Sequence, residues 1–141
     1  MMSEVVPGLF LGSWPDAVTA LEAGMESVFV VNCTKDLPML GPGLRVPVDD
    51  DGSEDCNDVM LSHLAAAASA IRDHLATGDR VVVHCKAGQQ RSPAVAAAYL
   101  MAEGGCGADL AMSRVCARKM DAFFHKPNFR DALERFGSKY I

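Results

Sequence analysis

The chain is predicted to be α/β, a single domain with a central, mixed but mostly parallel sheet of about four or five strands flanked by helices. Three observations predict it. Short β-branched runs such as Val81-Val82-Val83 alternate with longer segments whose apolar residues recur at helical spacing. Gly, Pro and Asp clusters punctuate these segments at the points where a strand must give way to a helix. No repeat, low-complexity stretch or linker interrupts residues 1–141, so they read as one domain, long enough to bury a core. With 50% apolar and 22% charged residues, the composition is globular rather than disordered.

Taken in order, residues 4–11 alternate around Pro7-Gly8 and predict an edge hairpin. The turn Gly12-Ser13-Trp14-Pro15-Asp16 can cap a short helix reaching about residue 24. Residues 27–32 form a second buried run, and the Pro- and Gly-rich segment 36–43 reads as a surface loop. A third strand is expected over residues 45–48, leading into Asp49-Asp50-Asp51-Gly52. Asn57 or Asp58 would cap a long helix to about residue 76, with Met60, Leu61, Leu64, Ala67, Ala68, Ile71 and Leu75 at helical spacing. The strand at residues 81–83 follows, and then a helix over residues 94–102, stopped by Gly104-Gly105. Two more helices are expected, over residues 109–119 and from Pro127-Asn128 to about residue 136. Met101, Met112 and Met120 fall on helices and read as core or gap-filling residues, and Trp14 as a packing residue. His63 and His74 read as surface or boundary residues of the long helix, and His125 as a turn residue.

The chemistry concentrates between the 81–83 strand and the helix after it. There His84-Cys85-Lys86-Ala87-Gly88-Gln89-Gln90-Arg91-Ser92 places a cysteine at the start of a tight loop and an arginine at its end. A loop leaving a strand and entering a helix can turn successive N–H groups inward as an anion nest, and the helix N-terminus adds positive character on the same side. Gly88 supplies the backbone freedom such a loop needs. Arg91 can fork onto two oxygens of a dianion. Cys85 would lie beneath the anion, where the same field favours its nucleophilic thiolate. His84 is placed to fix the cysteine backbone and lower the thiol pKa, and Ser92 to donate a hydrogen bond to the sulfur as it leaves. Lys86, Ala87, Gly88, Gln89, Gln90 and Arg91 would together form the phosphate cradle.

These residues resemble the HCxxGxxRS signature of cysteine-dependent phosphatases, most closely that of the dual-specificity branch. The resemblance runs beyond the loop. Pro7-Gly8-Leu9-Phe10-Leu11-Gly12-Ser13 is similar to the opening strand of that family. Tyr99-Leu100-Met101, and Pro127-Asn128 with Phe129, Leu133 and Phe136, are similar to its late helices. It implies the cysteine-phosphatase fold and a pocket shallower than that of the longer, tyrosine-specific domains. It also implies hydrolysis of phosphotyrosine and phosphoserine or phosphothreonine in proteins through a cysteinyl-phosphate intermediate.

That reaction needs an acid, because an alkoxide leaves badly unless protonated. Asp49, Asp50 and Asp51 are the candidates. In the family the acid follows an Ile-Pro-Val-x-Asp-like run; Val46-Pro47-Val48-Asp49-Asp50 matches it and favours Asp50, with Asp49 and Asp51 left open by the somewhat long gap to Cys85. The resemblance also implies that Asn32 braces the phosphate loop, a turn-forming asparagine being the alternative. In some relatives a cysteine near Cys33 forms a disulfide with the nucleophile; a simple buried thiol is the expectation here.

Composition narrows the partners. A net charge of −5 argues against nucleic acid or an anionic membrane surface as a broad target. Five cysteines, an odd number with no CxxC pair, indicate free thiols in a reducing compartment. No signal sequence, myristoylation glycine or membrane-length apolar run is present, so a cytoplasmic, soluble, monomeric protein is expected. No His, Cys and carboxylate set has metal-ligand spacing, and the chemistry calls for neither metal nor cofactor, since Arg91 and the loop amides can neutralise the phosphate charge. Two other readings compete. The same chemistry on a phosphoinositide or other phospholipid draws on Lys86, but Gln89 and Gln90 stand where lipid-directed relatives often carry a second basic residue. A phosphate-binding module without turnover would usually have lost the cysteine or the arginine. A rhodanese-type sulfur transferase fits the His84, Gly88, Arg91 and Ser92 set less well.

Overall fold

A computed structural model describes residues 1–140. The chain runs β1 (Ser3–Val6), β2 (Leu9–Gly12), α1 (Trp14–Glu22), β3 (Val28–Asn32), β4 (Gly43–Arg45), α2 (Glu54–Ala76), β5 (Arg80–His84), α3 (Arg91–Gly104), α4 (Ala108–Arg118) and α5 (Arg130–Tyr140). The five strands form one mixed sheet in the order β1-β2-β5-β3-β4, antiparallel only between β1 and β2. The expected α/β architecture is therefore the observed one.

The centre of the sheet is β5, paired in parallel with β2 on one side and β3 on the other. Val81, Val82 and Val83 are fully buried, and each stabilises the fold by roughly 1.5–3 kcal/mol. Val81 and Val83 share the main core with Leu9, Leu11 and Val31, under α2 to α5. Val82 and Val30 alternate to the other face, where Ala17 of α1 is also buried. Covered on both faces, β5 has the continuous apolar sequence that a central parallel strand requires. The loop that leaves it starts from a rigid base.

Helix α3 lies among α2, α4 and α5. Residues 92–98 are all buried, and five of those seven are alanine or serine, which lets the neighbouring helices approach closely. It starts three residues earlier than the spacing predicts, at Arg91, and ends at Gly105, whose N–H reaches the Met101 carbonyl at 2.8 Å.

Four local expectations are corrected. The third strand spans Gly43–Arg45 rather than residues 45–48. Its partner β3 stops at Asn32, whose carbonyl still accepts the Val46 N–H at 2.8 Å, and Pro47 has no N–H to extend the ladder. Val46 and Val48 are buried all the same, as core residues on irregular backbone. Helix α2 is capped by Ser53, whose Oγ accepts the Cys56 N–H at 3.1 Å, and not by Asn57 or Asp58. Asn57 is instead an inward-facing residue of that helix, 4% exposed. The last helix begins at Arg130, leaving Pro127 and Asn128 in the turn before it. Met120 is 93% exposed because α4 has already ended at Arg118, whereas Met101 and Met112 are buried as expected.

Candidate active site

In the parallel register Gly12 and Asn32 both lie opposite His84, so β2, β5 and β3 end side by side. Ligands of open α/β sheets bind beyond such carboxyl ends. Here they open into a cleft of about 360 Å³ that gathers Cys85, the loop residues Lys86, Ala87, Gln89 and Gln90, and Arg91 at the start of α3. Across the cleft stand Asp36, Asp49 and Asp50.

Cys85 is 2% exposed. Its sulfur accepts the Gly88 N–H at 3.2 Å and lies 3.2 Å from Ser92 Oγ. Ser92 Oγ is also 3.5 Å from the Gly12 carbonyl oxygen. A hydroxyl has one proton, and a charged sulfur attracts it more strongly than a neutral carbonyl does. Ser92 is thus placed to follow the charge on Cys85.

Gly88 makes this geometry possible. Its φ is +74°, and a Cβ there would lie 2.8 Å from both the Gly12 carbonyl carbon and the Ser13 nitrogen. Gly88→Ala is expected to store about 1–3 kcal/mol of strain, lowering the melting temperature and weakening tungstate binding together. Wild-type melting with wild-type tungstate affinity would show that the loop does not need this backbone.

His84 is fully buried, with Nδ1 3.1 Å from the Cys85 carbonyl oxygen, to which it donates as the Nδ1–H tautomer. Trp14 packs at 5.6 Å between ring centroids. Burial holds the imidazole below its ordinary value of 6.5, reinforced by the Arg45 charge and opposed by the bond to Cys85. The Nδ1 contact ties the His84 side chain to the backbone of Cys85.

Arg91 donates from Nη1 to the Val48 carbonyl at 3.1 Å, which ties the phosphate loop to the segment carrying the three aspartates. Its Nε is buried without a protein partner. That N–H belongs to the fork with which guanidinium grips an oxyanion.

The family model for the dual specificity phosphatase catalytic domain matches residues 9–139. The chain belongs to the dual-specificity phosphatase family. It is 36% identical over 118 residues to dual specificity phosphatase 28 of Mus musculus, covering 80% of this chain and 70% of that protein. It is 34% identical over 137 residues to dual specificity phosphatase 28 of Homo sapiens, covering 94% of this chain and 75% of that protein. The crystal structure of human DUSP28 superimposes with a TM-score of 0.84 at 31% identity, covering 97% of this chain and 93% of that one. The protein is accordingly a cysteine-dependent protein phosphatase.

Within this dual-specificity phosphatase, the three aspartates separate. Asp51 accepts the Ser53 N–H at 2.8 Å, and hydrogen bonds from Cys56 and Ser53 hold its carboxyl down at about 2. It lines a different cleft, with Asn57 and Asn128, and braces the backbone of Ser53, the α2 cap. Asp49 is engaged by Lys35 at 2.8 Å on the exposed rim. Asp50 accepts from Asn128 Nδ2 at 2.7 Å and lines the Cys85 cleft.

Two expected roles differ from what the phosphatase shows. The Asn32 side chain binds Thr34 and the Leu37 and Pro38 carbonyls at 2.7–3.2 Å, so it shapes residues 34–38 rather than the phosphate loop. The neighbouring backbone bond, from the Cys33 N–H to the His84 carbonyl at 2.8 Å, continues the β3–β5 pairing toward Cys85. The Gln90 side chain is committed to protein partners, donating to the Phe124 and Lys126 carbonyls at 2.9 and 3.0 Å and accepting the Asn128 N–H at 2.9 Å. Cys33 is a free, fully buried thiol, its pKa pushed well up by burial and by Cys85, against a lowering pull from Arg91. Arg45, Asn57 and Asn128 are assigned no part in the site by sequence reasoning. Arg45 binds the Thr34 and Leu37 carbonyls at 2.8 Å, and each of the three acts through contacts distant in sequence.

Proposed function

We propose that residues 1–141 form one catalytic domain that hydrolyses phosphotyrosine and phosphoserine or phosphothreonine in proteins, with Cys85 as nucleophile, Arg91 as phosphate clamp and Asp50 as acid and base. The observation that carries the reading is a nucleophile with its own donors, Gly88 N–H and Ser92 Oγ, at the base of a cleft shared with Arg91 and Asp50.

The Cys85 thiolate attacks phosphorus, and the phosphorus–oxygen ester bond breaks. Asp50, as the carboxylic acid, gives its proton to the departing oxygen. The Asp50 carboxylate then takes a proton from water, which attacks the cysteinyl phosphate. Inorganic phosphate leaves with both former bonding electrons of the S–P bond returned to sulfur, and Ser92 donates to that sulfur. The loop amides of residues 86–90 and Arg91 meet the charge on the transferring oxygens. Asp50 is preferred over Asp49 because its partner is a neutral amide, while Asp49 is committed to the Lys35 ammonium.

No helix among the described residues is long and apolar enough to cross a membrane. The reading extends to a monomer in a reducing, cytoplasmic setting without a nucleic-acid partner. Five free cysteines and the net charge of −5 support it. Lys86 and Arg91 are the two cations at the cleft and three aspartates oppose them, a balance suited to a phosphopeptide more than to a polyphosphorylated lipid headgroup.

The test is a matched panel: phosphotyrosine and phosphothreonine peptides and a short-chain phosphoinositide. Both peptides should turn over with the lipid inert, and preference for the lipid would overturn the substrate class. Asp50→Ala should cut kcat/KM by about 10²–10⁴-fold for alkyl phosphates and far less for aryl phosphates with good leaving groups. An equal loss on both would move the acid elsewhere.

A further inference from the structure

We propose that Asn128 is a positioning residue for the acid step, holding the Asp50 carboxyl at the cleft and selecting which of its oxygens carries the proton. The proposal rests on the reading of Asp50 as the acid.

Asp50 needs such a partner. It lies on irregular backbone between Val48 and α2 and is exposed, so nothing in its own segment orients the carboxyl. Asn128 supplies one contact, Nδ2 to Oδ1 at 2.7 Å, across 78 positions of sequence. The amide can only donate there. Oδ1 must therefore remain the accepting oxygen, which places the transferable proton on Oδ2.

The holder is itself held. The Asn128 N–H donates to Gln90 Oε1 at 2.9 Å, and its carbonyl accepts from Asn57 Nδ2 at 3.0 Å. Gln90 and Asn57 are 6% and 4% exposed, and both have their amide groups engaged at each end. Gln90 closes the phosphate loop immediately before Arg91, while Asn57 is built into α2. The Asn128 backbone is thus fixed by the phosphate loop and by a helix, and its side chain transmits that position to an otherwise free carboxyl. Catalytic groups supported in this way keep the geometry that proton transfer requires.

The test measures kcat/KM on an alkyl and an activated aryl phosphate for Asn128→Ala, for Asn128→Asp, for Asp50→Ala and for the Asp50→Ala/Asn128→Ala double variant. Tungstate affinity and melting temperature are followed in each. Asn128→Ala should lose about 10-fold on the alkyl substrate and stay within about 2-fold on the aryl one, with tungstate affinity unchanged. Asn128→Asp, which preserves shape but replaces the donor with a second carboxylate, should lose at least as much. It decides the matter if the alanine variant folds poorly. In the Asp50→Ala background the Asn128 change should add nothing. Equal losses on both substrates, or losses that add to those of Asp50→Ala, would overturn the positioning role and leave a structural one. If Asp50→Ala shows no leaving-group dependence, the acid assignment fails and takes the proposal with it. If Asp50→Ala shows it and neither Asn128 variant does, the proposal alone fails.

Discussion

Cys85→Ser is expected to bring turnover down to background on every phosphomonoester, a loss on the order of 10⁴-fold or more. A serine hydroxyl at this position keeps the shape of the site but is a far weaker nucleophile than a thiolate. The side chain bonded to the sulfur is Ser92, a hydroxyl, and the buried His84 has its Nδ1 committed to the Cys85 carbonyl. Nothing could therefore activate the replacement as histidine activates a serine in acyl transfer. Arg91 is held by the Val48 carbonyl and not by the sulfur, so tungstate should still bind with affinity near that of the wild type. Turnover above background would show that another group attacks phosphorus. Loss of tungstate binding would show instead that the variant had collapsed the loop, and only binding without turnover supports the nucleophile assignment.

Arg91→Lys should reduce kcat/KM by about 10²–10³-fold, although the formal charge is unchanged. The guanidinium has two tasks that one ammonium cannot perform together. Nη1 holds the Val48 carbonyl at 3.1 Å, just before the aspartates, while Nε lies buried without a protein partner on the remaining fork. Lysine can reach the anion or the carbonyl, but not both in fixed geometry. The loss should appear in oxyanion affinity as well as in rate, because the fork grips ground state and transition state alike. Kinetics within a few-fold of the wild type would show that the phosphate is held by the loop amides alone.

The catalytic sequence was legible because its parts are adjacent along the chain. Val81 to Val83 announce a buried strand, Gly88 a left-handed turn and Arg91-Ser92-Pro93 a helix start, so His84 to Ser92 could be placed before any fold was known. The same locality accounts for the hairpin at Pro7-Gly8 and for α2, whose apolar spacing runs over many turns. The errors fall where a distant partner decides. The strand expected over residues 45–48 shortened because β3 had ended, a fact of pairing and not of local propensity. Asn57 resembled a helix cap in sequence. It became an internal residue because Ser53 took the cap and because the Asn128 carbonyl and Ala132 N–H needed a buried partner.

By itself, then, the sequence determined the α/β class, the strand–loop–helix that carries Cys85 and Arg91, and the three aspartates proposed as the acid. Local patterns suffice for these, since a strand–loop–helix nest is built from consecutive residues. The tertiary structure separated the three aspartates: Asp51 was drawn to the α2 N-terminus, while Asp49 and Asp50 both line the Cys85 cleft, the first bound to Lys35 and the second to Asn128. It also decided that burial lowers the His84 pKa, that the Asn32 side chain shapes residues 34–38, and that the Gln90 side chain holds the Asn128 backbone. Each of these depends on hydrogen bonds whose partners meet only when the chain folds. Identical aspartates in a row carry no sign of which one the fold will leave free for proton transfer.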